Sequence, residues 1–290
     1  MARYKGNKIN PQRFDRGQLK LIIAVLPLAI FMLLPIIFIF NHAFKPMDEL
    51  FAFPPRFLVS NPTLDNFKEL FRSANASGIP MSRYVFNSLL VTTIVVLASV
   101  IISTLAGFAL SKMKFKGKTA IFEINNAALM FVPVAVMIPR FLVVDVLGIT
   151  DTYLAHILPL LSMPVSLFLI KQFIDQVPDA LIEAAYIDGA TDFRVYRKII
   201  LPMIKPAIAT GAILAFQSVW VNIESSNLYV SDEGYRTLAF YMNTLTNLNN
   251  TVAGQGVQAA ASLIMFIPNL VLFIILQRNI MNTMAHSGIK

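Results

Sequence analysis

The chain has 290 residues, of which 56% are hydrophobic and only 14% are charged. Soluble domains carry about 25% charged residues, so this composition indicates a protein whose surface lies largely in lipid. The absence of cysteine excludes disulfides, thiolate metal sites and cysteine nucleophiles. A net charge of +8 could indicate nucleic-acid binding, but that would need a soluble domain with a basic face. We therefore attribute the excess to membrane topology and expect no nucleic-acid partner.

Six segments have the length that a membrane-crossing helix needs, about 20 mostly apolar residues. They predict an all-α membrane protein with these spans: Leu21–Phe40, Asn87–Leu110, Asn126–Val146, Tyr153–Phe173, Ile204–Val221 and Val257–Gln277. Pro133 and Pro139 interrupt the third span, and Pro in a membrane helix usually marks a kink. The first span is too long for a signal-peptide core and lacks a small-residue cleavage site, so we expect it to be retained.

The basic residues predict the orientation. Most of the Lys and Arg side chains lie in segments that face the cytosol if the amino terminus is inside, as the positive-inside rule requires. Six spans then place both termini in the cytosol. The predicted organisation is a cytosolic segment 1–20, a first span 21–40, an extracytoplasmic loop 41–86, a membrane core 87–277 with a cytosolic loop at 175–204, and a cytosolic tail 278–290.

Two segments are predicted to be extracytoplasmic loops. The first, Asn41–Phe86, contains Pro54, Pro55, Pro62 and Pro80 and one short helix around Leu64–Phe71. The second, Ser225–Gly254, interleaves amides with tyrosines: Asn227, Asn243, Asn247, Asn249 and Asn250 with Tyr229, Tyr235 and Tyr241. Amides and aromatic rings suit sugar hydroxyls and sugar faces, but the same residues are common in any exposed loop. Both interpretations stay open.

The loop between the fourth and fifth spans has the pattern of two short helices joined at a corner. Pro178 and Asp179 suit a first helical turn, Gly189 allows the helix to end, and Thr191 or Asp192 can cap the next helix. In the second helix the apolar residues Phe193, Tyr196, Ile199 and Ile200 share one face, opposite Arg194, Arg197 and Lys198. Such an elbow could dock in a groove of another protein, or lie on the membrane with its basic face against headgroups.

Motifs of enzymes are missing from the sequence. Gly117-Lys118-Thr119 resembles the end of a phosphate-binding loop, but Lys112 stands where that loop requires its first glycine. His156 is expected to cap a helix or lie at the membrane interface rather than bind a metal. Neither G-x-S-x-G nor H-E-x-x-H occurs. The sequence therefore predicts no catalytic site in this chain.

The elbow also carries a spacing pattern. Glu183, Ala184 and Ala185 are followed by Gly189 and then by Leu201 and Pro202. This pattern resembles the EAA loop of membrane subunits of ATP-binding-cassette (ABC) importers, through which those subunits contact their ATPases. Further segments resemble the carbohydrate-type members of the family, and most closely the second six-span subunit of maltose-type oligosaccharide importers. These segments are 62–67, 86–89, 107–112, 115–117 and 231–238.

The resemblance implies a type I ABC importer permease fold and import of an oligosaccharide by alternating access. It implies these partners: a second homologous permease subunit, two ABC ATPase subunits that use ATP and Mg, an extracytoplasmic solute-binding protein, and the lipid bilayer. This chain itself would bind no cofactor. Contact with the ATPase would involve Glu183, Ala184, Ala185, Asp188, Gly189, Arg194, Arg197, Leu201 and Pro202. The alternatives are an ABC permease for amino acids or another small solute and, more distantly, an ion-coupled secondary transporter.

Polar residues within membrane spans are costly unless they face a cavity or a partner. On that ground we predict a substrate path through Gln217, Trp220, Asn222, Glu224 and Gln258. Ser218 and Asn269 are instead expected to join helices by hydrogen bonds. Many carbohydrate-type members have Trp-Asn followed by an acid, whereas this chain has Trp220-Val221-Asn222-Ile223-Glu224. The identity of the sugar therefore cannot be copied from the family.

Overall fold

The computed structural model describes residues 16–76, 78–248 and 254–287, and every regular element in these ranges is a helix. This confirms the predicted all-α class. The chain divides into two compact units, one formed by 1–69 with 249–263 and the other by 70–248 with 264–290. Three helices are long and apolar enough to cross a membrane: Gln18–Ala43, Met81–Lys112 and Gly254–Gln277.

In the first unit, α1 (Arg16–Ala43) corresponds to the first predicted span. Its apolar side chains are almost all exposed within the chain, as expected for a helix surrounded by lipid or by a partner. Two further helices follow, α2 (Met47–Leu50) and α3 (Asp65–Ala76), the second of which begins in this unit. The predicted short helix at 64–71 is thus present and extends to Ala76.

The stretch after α1 is folded by hydrogen bonds to buried polar side chains. The Glu49 carboxylate accepts the backbone N–H groups of Ser60 (3.0 Å) and Asn61 (2.7 Å). The Asn66 amide donates to the carbonyls of Ala43 (3.0 Å) and Lys45 (2.8 Å). Because these bonds connect residues far apart in the sequence, this part of the predicted loop is a small ordered structure.

In the second unit, α4 (Met81–Lys112) is one continuous helix. The helices that follow it are shorter: α5 (Lys118–Ala128), α6 (Met137–Val146), α7 (Tyr153–Leu161), α8 (Pro164–Asp175), α9 (Asp179–Ile187), α10 (Asp192–Val195), α11 (Leu201–Met203) and α12 (Lys205–Trp220). A 3₁₀ helix at Pro133–Val136 precedes α6, and a π-helical turn at Tyr196–Ile200 joins α10 to α11. α15 (Gly254–Ser287) begins in the first unit and continues in the second.

The remaining predicted spans are bent helix pairs. The bend is 110° between α5 and the Pro133–Val146 segment, 42° between α7 and α8, and 81° between Asp192–Met203 and α12. If each pair is one span the protein has up to six, by length and composition. The third predicted span, 126–146, was expected to kink at its prolines; the helix instead ends at Ala128, and the bent pair begins earlier, at Lys118. Val132 and Met163 both precede a proline, which disfavours helical backbone at those residues.

Helices α4, α8 and α12 pack against one another through small residues. A Cβ atom on Gly107 would lie 3.2 Å from side-chain atoms of both Ile170 and Ile174. A Cβ atom on Gly211 would lie 2.8 Å from Ser166 Oγ. Only glycine lets these three helices approach so closely without a shift of their side chains.

The prediction of a loop at 225–254 is wrong for the residues that the structure describes. They form α13 (Glu224–Tyr229), a 3₁₀ helix at Glu233–Tyr235 and α14 (Leu238–Leu248). Tyr229 and Tyr241 are buried, whereas Asn227 and Asn243 are exposed. The side chain of Asn247 is not described, and Asn249 and Asn250 lie outside the described residues. The amide-rich surface is therefore smaller than the sequence suggests.

This region is held to α4 and α7 by buried polar side chains. Asn87 Nδ2 donates to the carbonyls of Gly234 and Arg236 (2.9 Å each), and Asn87 Oδ1 accepts from the Tyr153 hydroxyl (2.8 Å). His156 is fully buried, with Nδ1 2.8 Å from Ser225 Oγ and Nε2 3.0 Å from the Tyr235 carbonyl oxygen. The expected capping or interfacial role of His156 is wrong, because the ring joins two distant segments inside the protein.

Candidate functional site

The elbow between α8 and α12 has the predicted local structure. Pro178 precedes the first residue of α9, and Asp179 lies in its first turn. Gly189 has φ +78°, a left-handed conformation that glycine adopts without strain. Thr191 precedes α10, but its side chain makes no capping hydrogen bond. The predicted corner is therefore confirmed at Gly189, whereas the predicted cap is not formed.

Hydrogen bonds across the corner fix its shape. The N–H of Gly189 donates to the Tyr186 carbonyl (3.0 Å), and the N–H of Ala190 donates to the Ala185 carbonyl (2.9 Å). The Tyr186 hydroxyl donates to Asp192 Oδ1 at 2.8 Å, joining α9 to α10. This hydrogen bond raises the pKa of Tyr186, because loss of its proton would place an anion beside the Asp192 carboxylate.

The inner side of the elbow packs on α4 and α8. Its buried residues Ile182, Val195, Tyr196 and Ile200 join an apolar cluster that includes Phe108, Ile170 and Ile174. Ala185 and Leu201 pack against the same cluster. The hydroxyls of Tyr196 and Thr104 are 2.8 Å apart in this interior. The apolar face of the second elbow helix thus contacts the protein itself, which leaves little of it for lipid.

Lys112, the last residue of α4, links that helix to the start of α9. Its Nζ donates to the Val177 carbonyl (2.7 Å) and to Asp179 Oδ1 (2.6 Å). The hydrogen bond from Lys112 holds the pKa of Asp179 below its usual value. Beside this link, Glu183 lines a depression of about 410 Å³ together with Lys114 and Lys118. The base of the elbow is therefore fastened by both apolar and charged contacts.

The outer side of the elbow is exposed and partly apolar. Ile187 is 86% exposed and Phe193 64% exposed. Ile187 and Phe193 were not among the residues predicted to contact the ATPase. Of those that were, Ala184, Asp188, Arg194, Arg197 and Pro202 are exposed as well. Phe193 was expected to share the face of Tyr196, and the centroids of the two rings lie 6.2 Å apart, but Tyr196 is buried whereas Phe193 is exposed. An exposed surface of mixed apolar and basic character suits contact with another protein.

A cavity of about 480 Å³ lies where the bent helices of the second unit meet. Proline and aliphatic residues line most of it, including Pro133, Pro159, Leu160 and Leu214. Its polar lining consists of Arg140, Ser162, Ser166, Ser218, Asn222 and Glu224. The volume falls within the usual range for small-ligand sites, about 300–1,000 Å³.

Arg140 and Glu224 form an ion pair in this cavity. Arg140 Nη1 lies 3.1 Å from Glu224 Oε1, and both side chains are partly exposed to the cavity, at 31% and 26%. Asn222 Oδ1 accepts hydrogen bonds from the N–H (3.0 Å) and hydroxyl (2.7 Å) of Ser225. Both bonds are made by the Oδ1 atom of Asn222, and no described residue accepts a hydrogen bond from its Nδ2 group. The cavity therefore offers charged and neutral hydrogen-bonding groups within one space.

The predicted substrate-path residues divide into two groups. Asn222 and Glu224 line the cavity, as does Ser218. Trp220 is 4% exposed, stacks on Phe216 and donates its Nε1–H to the Met265 carbonyl (3.0 Å), so it is a packing residue. Gln217 is exposed outside the cavity lining, and Gln258 is half-buried in the first unit. Asn269 Nδ2 donates to Met265, within its own helix.

Sequence reasoning missed Arg140 as a partner of Glu224. A basic residue inside an apolar span, directly after Pro139, was the available signal, but nothing local connects it to a residue 84 positions later. Among the described residues, no group of three or more His, Asp or Glu could hold a metal ion. The polar chemistry of the cavity is thus that of hydrogen bonding and of the Arg140–Glu224 ion pair.

Residues 99–280, well over half of the chain, match the family described as the inner membrane component of binding-protein-dependent transport systems. The chain belongs to this family. It is therefore a transport subunit and a multi-pass protein of the cytoplasmic membrane, which confirms the resemblance identified from the EAA-like spacing. Membership also favours the ATP-driven importer over the ion-coupled secondary transporter.

Two curated relatives extend along nearly the whole chain. The probable ABC transporter permease protein YurM of Bacillus subtilis is 31% identical over 88% of this chain and 83% of its own length. The arabinooligosaccharides transport system permease protein AraQ of Halalkalibacterium halodurans is 29% identical over 88% of this chain and 90% of its own length. A solved bacterial ABC transporter that imports the acidic polysaccharide alginate shares the fold, with a TM-score of 0.75, 22% identity, and coverage of 92% of this chain and 98% of the other.

Proposed function

We propose that the chain is one of two membrane subunits of an importer that moves an oligosaccharide into the cell by alternating access. A second, homologous permease subunit completes the path. Two separate ABC ATPase subunits hydrolyse ATP with Mg, and an extracytoplasmic binding protein delivers the sugar. Both termini of this chain lie in the cytosol.

The elbow is the observation that carries this proposal. Its inner face is fixed to α4 and α8 by the apolar cluster and by Lys112, while Ile187 and Phe193 on its outer face are exposed. A rigid base and an exposed apolar tip are what a part needs if it is to transmit a displacement from an ATPase to membrane helices. We assign ATPase contact to this outer face, together with Asp188, Arg194 and Arg197.

The oligosaccharide substrate is supported by the relative named for arabinooligosaccharides and by the cavity chemistry. Ser162, Ser166, Ser218 and Asn222 provide the neutral hydrogen-bonding groups that sugar hydroxyls need. The path that we propose runs along Asn222 and Glu224. Gln217, Trp220 and Gln258 are not required to contact the sugar.

Reconstitution of the complete complex in proteoliposomes tests the function. Wild-type complex with its binding protein and ATP should accumulate radiolabelled oligosaccharides from a panel of arabinotriose, galactotriose and maltotriose. A sodium or proton gradient without ATP should not replace ATP. Uptake of amino acids in place of every sugar would instead identify the alternative importer class, and uptake driven by the ion gradient alone would contradict the ABC mechanism.

Substitutions on the outer face test the elbow separately. Ile187→Ser and Phe193→Ser should reduce co-purification of the ATPase subunits, because each removes exposed apolar area from the contact. Leu147→Ser is the matched control, since Leu147 is also 60% exposed but lies outside the elbow. Equal ATPase recovery from all three variants would show that the outer face does not carry the contact.

A further inference from the structure

The membrane cavity contains two charged side chains, and they neutralise each other. Arg140 and Glu224 are 3.1 Å apart, and the other residues of the lining are apolar or neutral. An isolated charge within a membrane protein is costly, whereas a hydrogen-bonded pair keeps most of its interaction energy. The cavity therefore presents donors and acceptors without an excess charge of either sign.

The break between α7 and α8 adds neutral hydrogen-bonding groups to the same space. α8 begins at Pro164, and the first-turn amides of a helix have no acceptor within that helix. Val165 and Ser166, in that first turn, both line the cavity. Ser166 is 1% exposed, and its Oγ is a buried atom without a hydrogen-bond partner in the structure. A buried hydroxyl of this kind calls for a ligand or water to complete it.

We propose that this cavity binds a neutral sugar unit and excludes acidic and cationic solutes, because the Arg140–Glu224 pair leaves no free charge to receive them. The inference rests on the proposed function and specifies its substrate class. Sugar hydroxyls bond to the outer edges of the ion pair, to Ser166 and to Asn222 without separating the charges. A uronate would have to compete with Glu224 for Arg140, and an ammonium group would have to compete with Arg140 for Glu224.

Single substitutions in the pair should shift selectivity in opposite directions. Glu224→Gln leaves Arg140 uncompensated and should favour an acidic sugar. Arg140→Gln leaves Glu224 uncompensated and should favour a cationic sugar. A residue that is only structural would lower the binding of all probes alike, so opposite shifts separate selectivity from loss of fold.

The measurement is retention of radiolabelled trisaccharides by the purified complex, containing both permease subunits and the ATPases, trapped with ATP and vanadate. The neutral probes are arabinotriose, galactotriose and maltotriose, the acidic probe is trigalacturonate, and the cationic probe is triglucosamine. Wild-type complex should retain at least one neutral probe. It should bind both charged probes more weakly than that neutral probe, by roughly tenfold or by a larger factor. Glu224→Gln should raise the ratio of retained acidic probe to retained neutral probe by roughly tenfold. Arg140→Gln should raise the ratio of retained cationic probe to retained neutral probe by a similar factor.

Two further variants keep the test decisive if the single variants assemble poorly. Arg140→Gln combined with Glu224→Gln restores neutrality and should regain wild-type selectivity. Glu233→Gln removes a charge from the Arg236–Glu233 pair, which lies outside the cavity, and should change nothing. A wild-type complex that imports neutral sugar but retains none in this assay, or unchanged ratios in the variants, would overturn this inference alone. A complex that imports no oligosaccharide would overturn the proposed function.

Discussion

Lys112 Nζ lies 2.6 Å from Asp179 Oδ1 and 2.7 Å from the Val177 carbonyl oxygen, which joins the last turn of α4 to the first turn of α9. The Lys112 side chain is 7% exposed, whereas the Asp179 side chain is 75% exposed. The ammonium group is thus enclosed while its partner faces water. The elbow and α4 are consequently connected at the elbow's first turn as well as through their apolar cluster.

Replacing Lys112 should loosen this connection. Lys112→Met keeps the length of the side chain but removes both hydrogen bonds, of which the bond to the Val177 carbonyl alone is worth on the order of 1–2 kcal/mol. We expect less sugar transported per ATP hydrolysed in proteoliposomes. Lys116→Met, which removes a neighbouring exposed basic side chain, is the control. A coupling ratio equal to wild type in Lys112→Met would rule out a role for the link.

The same link predicts how coupling responds to pH. Lys112 lowers the pKa of Asp179 from its usual value of 3.8, so the carboxylate's contribution is present above 3.8 and is lost only as pH falls through the lower, folded value. Coupling should therefore stay constant from about pH 5.5 to 8 as far as Asp179 is concerned. Measuring the coupling ratio over this range, with Asp179→Asn for comparison, checks the sign. If the coupling ratio of the wild type fell near neutral pH and that of Asp179→Asn did not, the expected pH independence would be contradicted.

Gly189→Val should disrupt the corner of the elbow. Gly189 has φ +78° and open space where a Cβ would be, so the substitution adds backbone strain without a steric clash. A β-branched residue in this conformation costs on the order of 1–3 kcal/mol. We expect weaker stimulation of ATP hydrolysis by loaded binding protein, with normal insertion into the membrane.

Gly148→Val is the matched control for that variant, because Gly148 also has positive φ (+64°) and open space. Both substitutions impose the same kind of backbone strain, but only one lies in the elbow. If both variants lose stimulation equally, strain anywhere in the chain would explain the result and the elbow would have no special part in it.

Substitutions at Trp220 and Asn222 should have different effects, the first mainly on the stability of the complex and the second mainly on transport. Trp220→Ala leaves a cavity and frees the Met265 carbonyl, so it should destabilise the complex by about 3–5 kcal/mol. Asn222→Ala should reduce sugar uptake with a smaller effect on stability, since Asn222 lines the transport cavity. Thermal unfolding of the purified complex and uptake in proteoliposomes measure the two effects. If Trp220→Ala reduced uptake without loss of stability while Asn222→Ala left uptake unchanged, Trp220 would be the residue that contacts the sugar.

Gly211→Ala tests the close packing of α8 and α12. Its new Cβ would lie 2.8 Å from Ser166 Oγ, and such overpacking typically costs about 1–3 kcal/mol. Ser166→Ala removes the nearest clashing atom, so the double variant should recover most of the lost stability. Additive losses in a double-mutant cycle of thermal unfolding would show that the two residues do not meet.

The elbow could be predicted from the sequence because its determinants are local. Gly189 permits the corner and Pro178 suits the start of α9, and both signals act within a few residues. The Arg140–Glu224 pair could not, because its members come from segments 84 residues apart. Helical periodicity placed Phe193 beside Tyr196, but it could not show that the apolar cluster encloses only Tyr196 of the two.

For α14 the sequence does contain the apolar spacing of a helix, but the asparagines in the same segment favoured the prediction of a loop. Leu238, Met242 and Leu245 follow the spacing of one helical face, and all three are buried. Asn243 lies between Met242 and Leu245, Asn247 follows Leu245, and these amides suggested a loop. The role of Trp220 could not be predicted from the sequence. A tryptophan in a membrane helix can face a substrate or a neighbouring helix, and only tertiary packing decides which.

Asn87 illustrates how narrowly one side chain can be specified. Its Nδ2 meets two carbonyl oxygens and its Oδ1 meets a hydroxyl, so the orientation of the amide is fixed by its partners. Deamidation to aspartate would change the volume little, but it would place a carboxylate oxygen against the Gly234 and Arg236 carbonyls. Chemical ageing at this one buried position would thus weaken the attachment of the 234–236 segment to α4 and leave Arg83 to hold the Gly234 carbonyl alone.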